Sequence, residues 1–342
     1  MSRASALALR SAAAALGLAL VGWTVAHLGP ERVWSAASRA DPIWLAASAL
    51  PLVGRFLIWG LKWHRMLRRD GQIAFRDALR VLMAGCFVNL TTPTAKIGGG
   101  IVRAGLLRRR LGWRKSTAYG WALADQATNA LGSVLLCGLI AVPAGLAGEP
   151  GPAGRALALS GAACLVAVGL MVAARERLWR LVSRPGTARV VTRWTPRRFR
   201  SKTGWQARIA RPLLGQGGRW TAMGADIALG AASFGSLCLA NVWVLAALGA
   251  DISAWRVSLA VVAGYFAGSA LGAWGGVGVT EAALTGLYIR AGVPAESAAA
   301  GAIIHRALFY ALTLTWGGLG LWREQRRGRP PGGGLDVSPE IR

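Results

Sequence analysis

Acidic residues are scarce in this chain of 342 residues, where 14 Asp and Glu stand against 40 Lys and Arg. No GxxxxGK[ST] phosphate loop occurs, so ATP-driven work lacks its usual sequence support. The three histidines, His27, His64 and His305, are isolated and lack metal-ligand spacing. Cysteine is limited to Cys86, Cys137, Cys164 and Cys238, each inside an apolar run and none in a CxxC pair. A disulfide framework and a zinc site are therefore unsupported, and the thiols are expected to pack as small apolar groups. No Ser/His/Asp set can be chosen without arbitrariness. Gly276-x-Gly278 follows a membrane segment rather than a strand, so a dinucleotide site is not expected. No cofactor is implied.

What the chain does have is apolar length: 54% of its residues are hydrophobic, and the mean hydropathy is positive. Its charge is segregated between apolar blocks that approach the roughly twenty residues needed to cross a hydrocarbon core of about 30 Å. An isoelectric point near 11.8 would suit a nucleic-acid binder, but nucleic-acid binding does not need Ser11–Leu28 or Ser297–Trp322, and no nucleic-acid partner is expected. Six segments read as full spans: 11–28, 43–63, 117–142, 156–174, 223–249 and 297–322. The first, preceded by Arg3 and Arg10, is too long for a signal-peptide core and is read as uncleaved. Trp44, Trp63, Trp274 and Trp322 fall near block ends, as an interfacial aromatic belt would require.

Orientation follows from the cations. Lys62, Arg65, Arg68 and Arg69 follow the second span, and Arg108, Arg109, Arg110, Arg114 and Lys115 precede the third. The stretch Arg175–Arg219 reads as a long basic loop, and Arg323, Arg326, Arg327 and Arg329 follow the last span. These four places are expected on the cytoplasmic side of a bacterial inner membrane, with both termini there. Residues 323–342 read as a disordered tail.

Two further apolar stretches, near 78–107 and 256–290, are broken by glycine: Gly98-Gly99-Gly100 in one, Gly276 and Gly278 in the other. Their arms are too short for two ordinary crossings but suit re-entrant helical hairpins. The charge pattern makes the first enter from inside and the second from outside. Setting Gly98 on Gly278 aligns Leu107 with Leu287, Arg110 with Arg290, Gly112 with Gly292 and Ala122 with Ala302. The reading is an all-α polytopic membrane domain over 1–322, with an inverted repeat of halves 43–142 and 223–322.

The same alignment sets Asp125 opposite His305 and Gln126 opposite Arg306, about 12 Å into their spans at about 1.5 Å per residue. An ionisable group near a helix centre costs roughly 2.5–3.5 kcal/mol to insert, so such groups face the interior and pair. Asp125 with Arg306 is the expected pair, and His305 is expected to titrate near neutral pH. Arg55, within the second span, is read either as snorkelling or as lining a path for anionic headgroups. A helix restarting after Gly100 would aim its N–H groups into the membrane with Arg103 one turn along, while the one near Gly278 carries Glu281. Gly264, Gly268, Gly272 and Gly276 form a stripe that permits close helix approach.

At these residues the chain resembles the transmembrane, flippase-like domain of the lysylphosphatidylglycerol synthase family. The matching positions are Asn89, Pro93, Gly98-Gly99-Gly100, Arg103 and Arg108–Gly112, then Gly276, Gly278, Glu281, Gly292-Val293-Pro294, Ala298 and Arg306. Gly100 departs from the family pattern, which has an acid there, and Asp125-Gln126 stands where many relatives have arginine. The resemblance implies translocation of phospholipid or lipid-linked headgroups between leaflets. The soluble aminoacyl-transferase domain of bifunctional relatives is not seen after Trp322, so synthase activity is not expected.

The functional expectation is a non-enzymatic lipid flippase or transporter whose path is lined by Arg103, Asp125, Glu281 and Arg306, with His305 and Arg55 nearby. The rivals are a scaffold acting through the 175–219 loop and a membrane-embedded enzyme without a recognisable nucleophile. A homo-oligomer is compatible with the pattern. Cysteines placed at Ala95 and at Thr280 are expected to react with impermeant thiol reagents from opposite faces; labelling of both from one side would overturn the inverted arrangement.

Overall fold

Asp41 opens the first crossing stretch by accepting a hydrogen bond from the Ile43 N–H at 2.8 Å, with Pro42 supplying the φ of a first helical turn. The computed structural model describes residues 25–92, 97–148, 151–183, 205–214, 220–270 and 276–326, with positions 15, 19, 22 and 23. Among these residues the secondary structure is helical, without a strand. Helix α1 spans Pro30–Ser38, α2 Pro42–Ala47, α3 Ala49–Leu67, α4 Phe75–Thr91, α5 Ile97–Leu111 and α6 Lys115–Pro143, which runs on through a π turn, Ala144–Gly148. Then come α7 (Pro152–Ser183), α8 (Trp205–Leu214), α9 (Trp220–Ala247), α10 (Ala254–Ala270), α11 (Val279–Ala291) and α12 (Ala295–Arg326).

Among the described residues, five stretches are long and apolar enough to cross a membrane: Pro42–Leu67, Lys115–Gly148, Pro152–Leu181, Thr221–Ala247 and Ala295–Glu324. The protein is an all-α, multi-pass membrane protein. These five correspond to the expected spans from 43–63 onward; four are longer than expected, whereas Thr221–Ala247 has the length expected of 223–249. The expected first span, 11–28, lies largely outside the described residues.

Helix α9 occupies the centre, packed against α3, α6, α10 and α12. Half of its apolar window is buried inside the protein, against 11% for α7, whose Leu159, Val166 and Leu170 face outward. In a bilayer that outward face meets lipid, where an apolar surface needs no protein cover.

The two glycine-broken stretches form helical hairpins, α4–α5 and α10–α11, whose arms pack on each other. Arms of 13 to 17 residues reach about 20–25 Å, short of an about 30 Å hydrocarbon core. Each hairpin follows a long helix and precedes another: α3, α4–α5, α6 in the first half, and α9, α10–α11, α12 in the second. Each also reaches across, α4 against α12 and α10 against α6.

The glycines act differently in the two hairpins. Gly98, Gly99 and Gly100 do not form the first turn; they are helical, inside the first turn of α5. A Cβ on Gly99 would lie 2.3 Å from the Gly85 carbonyl oxygen, so the small residues set the α4–α5 distance. Gly100 meets only ordinary contacts. In the second hairpin Gly276 and Gly278 do form the bend, at φ of 81° and 83°, where L side chains are strained. Gly268 of the four-spaced stripe presses on Thr280, and Gly264 on Leu284, whereas Gly272 falls outside the described residues.

Other expectations change. Lys62 does not flank its span but sits within α3, fully buried. Trp63 is likewise buried rather than interfacial, while Trp44 and Trp322 are exposed near helix ends. The basic loop of 175–219 is shorter than expected. Arg175 is buried inside α7, which persists to Ser183, and α8 docks on α6, where the Arg208 Nε donates to Ser116 Oγ at 3.0 Å. Residues 184–204 and 215–219 of that loop lie outside the described residues. The tail begins later than 323, because α12 runs to Arg326 and Glu324 pairs with Arg110, which also bridges Asp77 at 3.0 Å. The rest of the expected tail, like Ala95, is outside the described residues. Thr280 is buried, so a reagent reaches it only through an internal space.

Gly99→Ala is expected to lower stability by about 1–3 kcal/mol through overpacking, whereas Gly105→Ala, whose Cβ would meet nothing within 4 Å, leaves it unchanged or raises it. Thermal unfolding midpoints of the two variants in detergent test this; equal shifts would show that close approach of α4 and α5 is not required.

Candidate functional site

Among the described residues, two ion centres lie beside the interior of the bundle, one in each half, while the buried Asp226 of α9 is held by Arg69, just past the end of α3, at 2.7 Å. In the first, α6 carries Asp125, α3 carries Lys62 and α5 carries Arg103. Lys62 Nζ lies 3.0 Å from Asp125 Oδ1, and an Arg103 Nη lies 2.6 Å from Oδ2. The indole N–H of Trp59 donates to the same carboxylate at 3.0 Å. Lys62 Nζ also lies within hydrogen-bond reach of Thr128 Oγ1 at 3.0 Å, Asn129 Oδ1 at 2.6 Å and the Asp125 carbonyl at 2.9 Å, so its three hydrogens are shared among four acceptors. The Arg103 guanidinium stacks over Trp63, 4.8 Å from the ring centroid. Asp125 and Lys62 are fully buried, a state that ionised groups tolerate only when paired and hydrogen-bonded this completely.

The second centre joins α11 to α12. Glu281 Oε1 lies 2.9 Å from Arg306 Nε and accepts from the Tyr310 hydroxyl at 2.6 Å; Arg306 also donates to that hydroxyl. The other oxygen, Oε2, accepts from the Gly278 N–H at 2.8 Å, so one carboxylate both caps α11 and holds Arg306. Arg306 lies over Tyr265 and Phe309 as well.

Between the hairpins and α3, α6, α9 and α12 lies a cavity of about 320 Å³. Arg55, Arg103 and Arg306 all line it, together with Asn89, Gln126, Asn129, Tyr265, Thr280 and Thr313; Asp125, Glu281 and His305 do not. Arg55 is 8% exposed, and its Nε and one Nη have no hydrogen-bond partner among the described residues. It is flanked by Phe234 at 5.1 Å, Trp59 at 5.7 Å and Phe309 at 6.0 Å. The cavity therefore presents cations, and the carboxylates stand behind them.

The expected residues thus come together, but in a different pairing. Asp125 does not meet Arg306: each ion pair forms within its own half, between a hairpin and the span that follows. The polarity is swapped, with the cation on the hairpin and the acid on the span in the first half, and the reverse in the second. Arg103 finds in Asp125 a carboxylate where Gly100 offers none. Arg55 does not snorkel to the surface. His305 is fully buried edge-on to Tyr265, with neither ring nitrogen hydrogen-bonded among the described residues and no carboxylate beside it to favour protonation. Lys62, Trp59 and Tyr310 are the site residues that sequence reading missed. Arg55, Trp59 and Lys62 recur at the spacing of one helical face, a signal that Lys62 belongs inside.

Among the described residues no group of three or more His, Cys, Asp or Glu side chains is arranged to hold a metal ion, and no two cysteines are joined in a disulfide.

Asp125→Asn leaves Lys62 and Arg103 without the carboxylate they share, and is expected to destabilise the protein by about 3–5 kcal/mol. Adding Lys62→Met restores the trio's net charge and should recover a large part of the loss. Thermal unfolding in detergent decides it: strict additivity of the two substitutions would disprove the shared-carboxylate account.

No curated protein matches this sequence. Residues 10–317 match the family described as the lysylphosphatidylglycerol synthase TM region, a stretch that takes in both hairpins, both ion centres and every residue lining the cavity. The protein therefore belongs to the lysylphosphatidylglycerol synthase transmembrane-region family, a membership that points to a role with membrane lipids.

Proposed function

We propose that the protein moves a phospholipid or lipid-linked headgroup between the leaflets of a bacterial cytoplasmic membrane, using the arginine-lined cavity as its path. The observation that carries this reading is the convergence of Arg55, Arg103 and Arg306, from three helices of both halves, on one cavity inside a membrane-spanning bundle. Buried cations in membrane segments mark substrate pathways, because nothing in packing alone favours them. The phenyl and indole rings beside them would accompany the headgroup's boundary with its acyl chains.

The two halves are read as an inverted repeat, supported by their common element order and their reciprocal packing of α4 on α12 and α10 on α6. In that arrangement the hairpins enter from opposite faces, and rocking of one half on the other would open the cavity to each leaflet in turn. Arg103, tied to α6, and Arg306, tied to α11, would each move with its own half. The basic ends near Arg65–Arg69, Arg108–Lys115 and Arg323–Arg326 support a cytoplasmic position for both termini on the charge rule. The reaction is transport without chemical change to the lipid, and no nucleic acid takes part.

Arg55 offers the cleanest test, because two of its buried nitrogens have no hydrogen-bond partner among the described residues, so removing the charge breaks no bond there. In liposomes carrying headgroup-labelled lipids, the wild-type protein should expose inner-leaflet label to an external quencher, and Arg55→Gln should slow this about tenfold or more while its unfolding temperature stays level or rises. Wild-type rates in Arg55→Gln, or no movement of any label by folded protein, would reject the pathway.

A further inference from the structure

The cavity carries an unbalanced charge and a set of unused donors. Among the described residues the cations Arg55, Arg103 and Arg306 line it, and Lys62 and the carboxylates of Asp125 and Glu281 stand behind them; the buried Asp226 near Lys62 is offset by Arg69 at 2.7 Å. The excess is two positive charges. Uncompensated charge inside a membrane bundle is costly, so the ligand that best fits brings two negative ones.

The hydrogen-bond inventory agrees. Besides the Arg55 nitrogens, Tyr265 Oη and Thr313 Oγ1 are buried, lack partners among the described residues, and belong to residues lining the same cavity. All of these can donate. Several acceptors are occupied by contrast: Asn89 Oδ1 takes the Gly99 N–H at 2.7 Å, Asn129 Oδ1 takes Lys62 at 2.6 Å, and both carboxylates are turned to their arginines, which leaves the Gln126 amide and the hydroxyls as the neutral acceptors. An ammonium group entering the cavity would meet cations and aromatic rings already covered by guanidinium groups.

We infer that the cavity is a site for a dianionic phosphate, the terminal phosphomonoester or diphosphate of a lipid, and that it selects against amine-bearing headgroups. A phosphomonoester carries about −1.5 to −2 charges and three strong acceptor oxygens, matching the excess charge and the donors of Arg55, Tyr265 and Thr313. Guanidinium groups suit it because they bind phosphate oxygens in a fork. Phe266, on the outer surface of α10, also lines the cavity and gives the lipid's apolar part a place to leave it. The inference rests on the lipid-translocation reading for the lipid, not for the phosphate.

Thermal unfolding of the full chain in detergent, titrated with phosphatidic acid, phosphatidylglycerol, phosphatidylethanolamine and inorganic phosphate, tests it. Phosphatidic acid should stabilise at a concentration about tenfold or more below that of phosphatidylglycerol, which corresponds to about 1.4 kcal/mol, and phosphatidylethanolamine should do so least. Arg55→Gln should erase the preference, and Tyr265→Phe, which removes only the hydroxyl, should reduce it even if the arginine variant misfolds. Equal midpoints for the two anionic lipids, or a preference unchanged in both variants, would overturn the dianion site while leaving translocation of diester lipids standing. Inorganic phosphate as effective as phosphatidic acid would uphold the phosphate site and count against the lipid path.

Discussion

A carboxylate shared between two cations inside the membrane holds the first half of this protein together. Asp125 binds Lys62 of α3 and Arg103 of α5 from its place on α6, so three helices converge on two oxygens. Neither cation could stay at that depth alone, and the carboxylate could not stay without them. The position of the α4–α5 hairpin follows: Arg103 must reach α6, and glycine contacts bring α5 close enough to α4 to allow it. The second half meets the same constraint with opposite signs, through Glu281 on the hairpin and Arg306 on the span.

This arrangement separates two jobs that buried charges can perform. The carboxylates hold; the guanidinium groups face the cavity. Because Asp125 and Glu281 engage Arg103 and Arg306 from behind, the arginines keep fixed positions while presenting nitrogen to the space between the hairpins. Arg55, boxed by aromatic rings instead of an acid, leaves that space positive. A cavity built this way discriminates by charge before any shape is considered, since desolvated charge is expensive and only an opposite charge offsets it.

Much of the architecture was legible in the chain. Apolar length located the five observed spans, and the paired glycine breaks located both hairpins. Arg103, Asp125, Glu281 and Arg306 announced themselves as ionisable groups inside apolar runs. Other readings failed for identifiable reasons. Lys62 looked like the first residue of a cytoplasmic cluster because hydropathy counts a lysine near a span's end as its boundary, while α3 carries on to Leu67. The stretch after Arg175 looked like loop because basic composition hides helix continuation, and the docking of α8 on α6 leaves no local sign. Gly98–Gly100 looked like a turn, but in a membrane bundle glycine serves close packing as often as chain reversal.

By itself the sequence determined the solvent: apolar runs of this length, with cations collected between them, commit the chain to helices in a bilayer, because only helices satisfy their own backbone there. It also determined which side chains would need partners. Tertiary structure alone decided who the partners are. Asp125 is 22 residues from Arg103 and 63 from Lys62's hydrogen-bond contact at its carbonyl, and the alternative match with Arg306 is equally sound in charge and depth. Distances between helices, set by glycine contacts and side-chain packing, excluded that match and turned the carboxylates away from the cavity. The sign of the cavity is therefore a property of the packing, since the same residues paired across the halves would have lined it with acids.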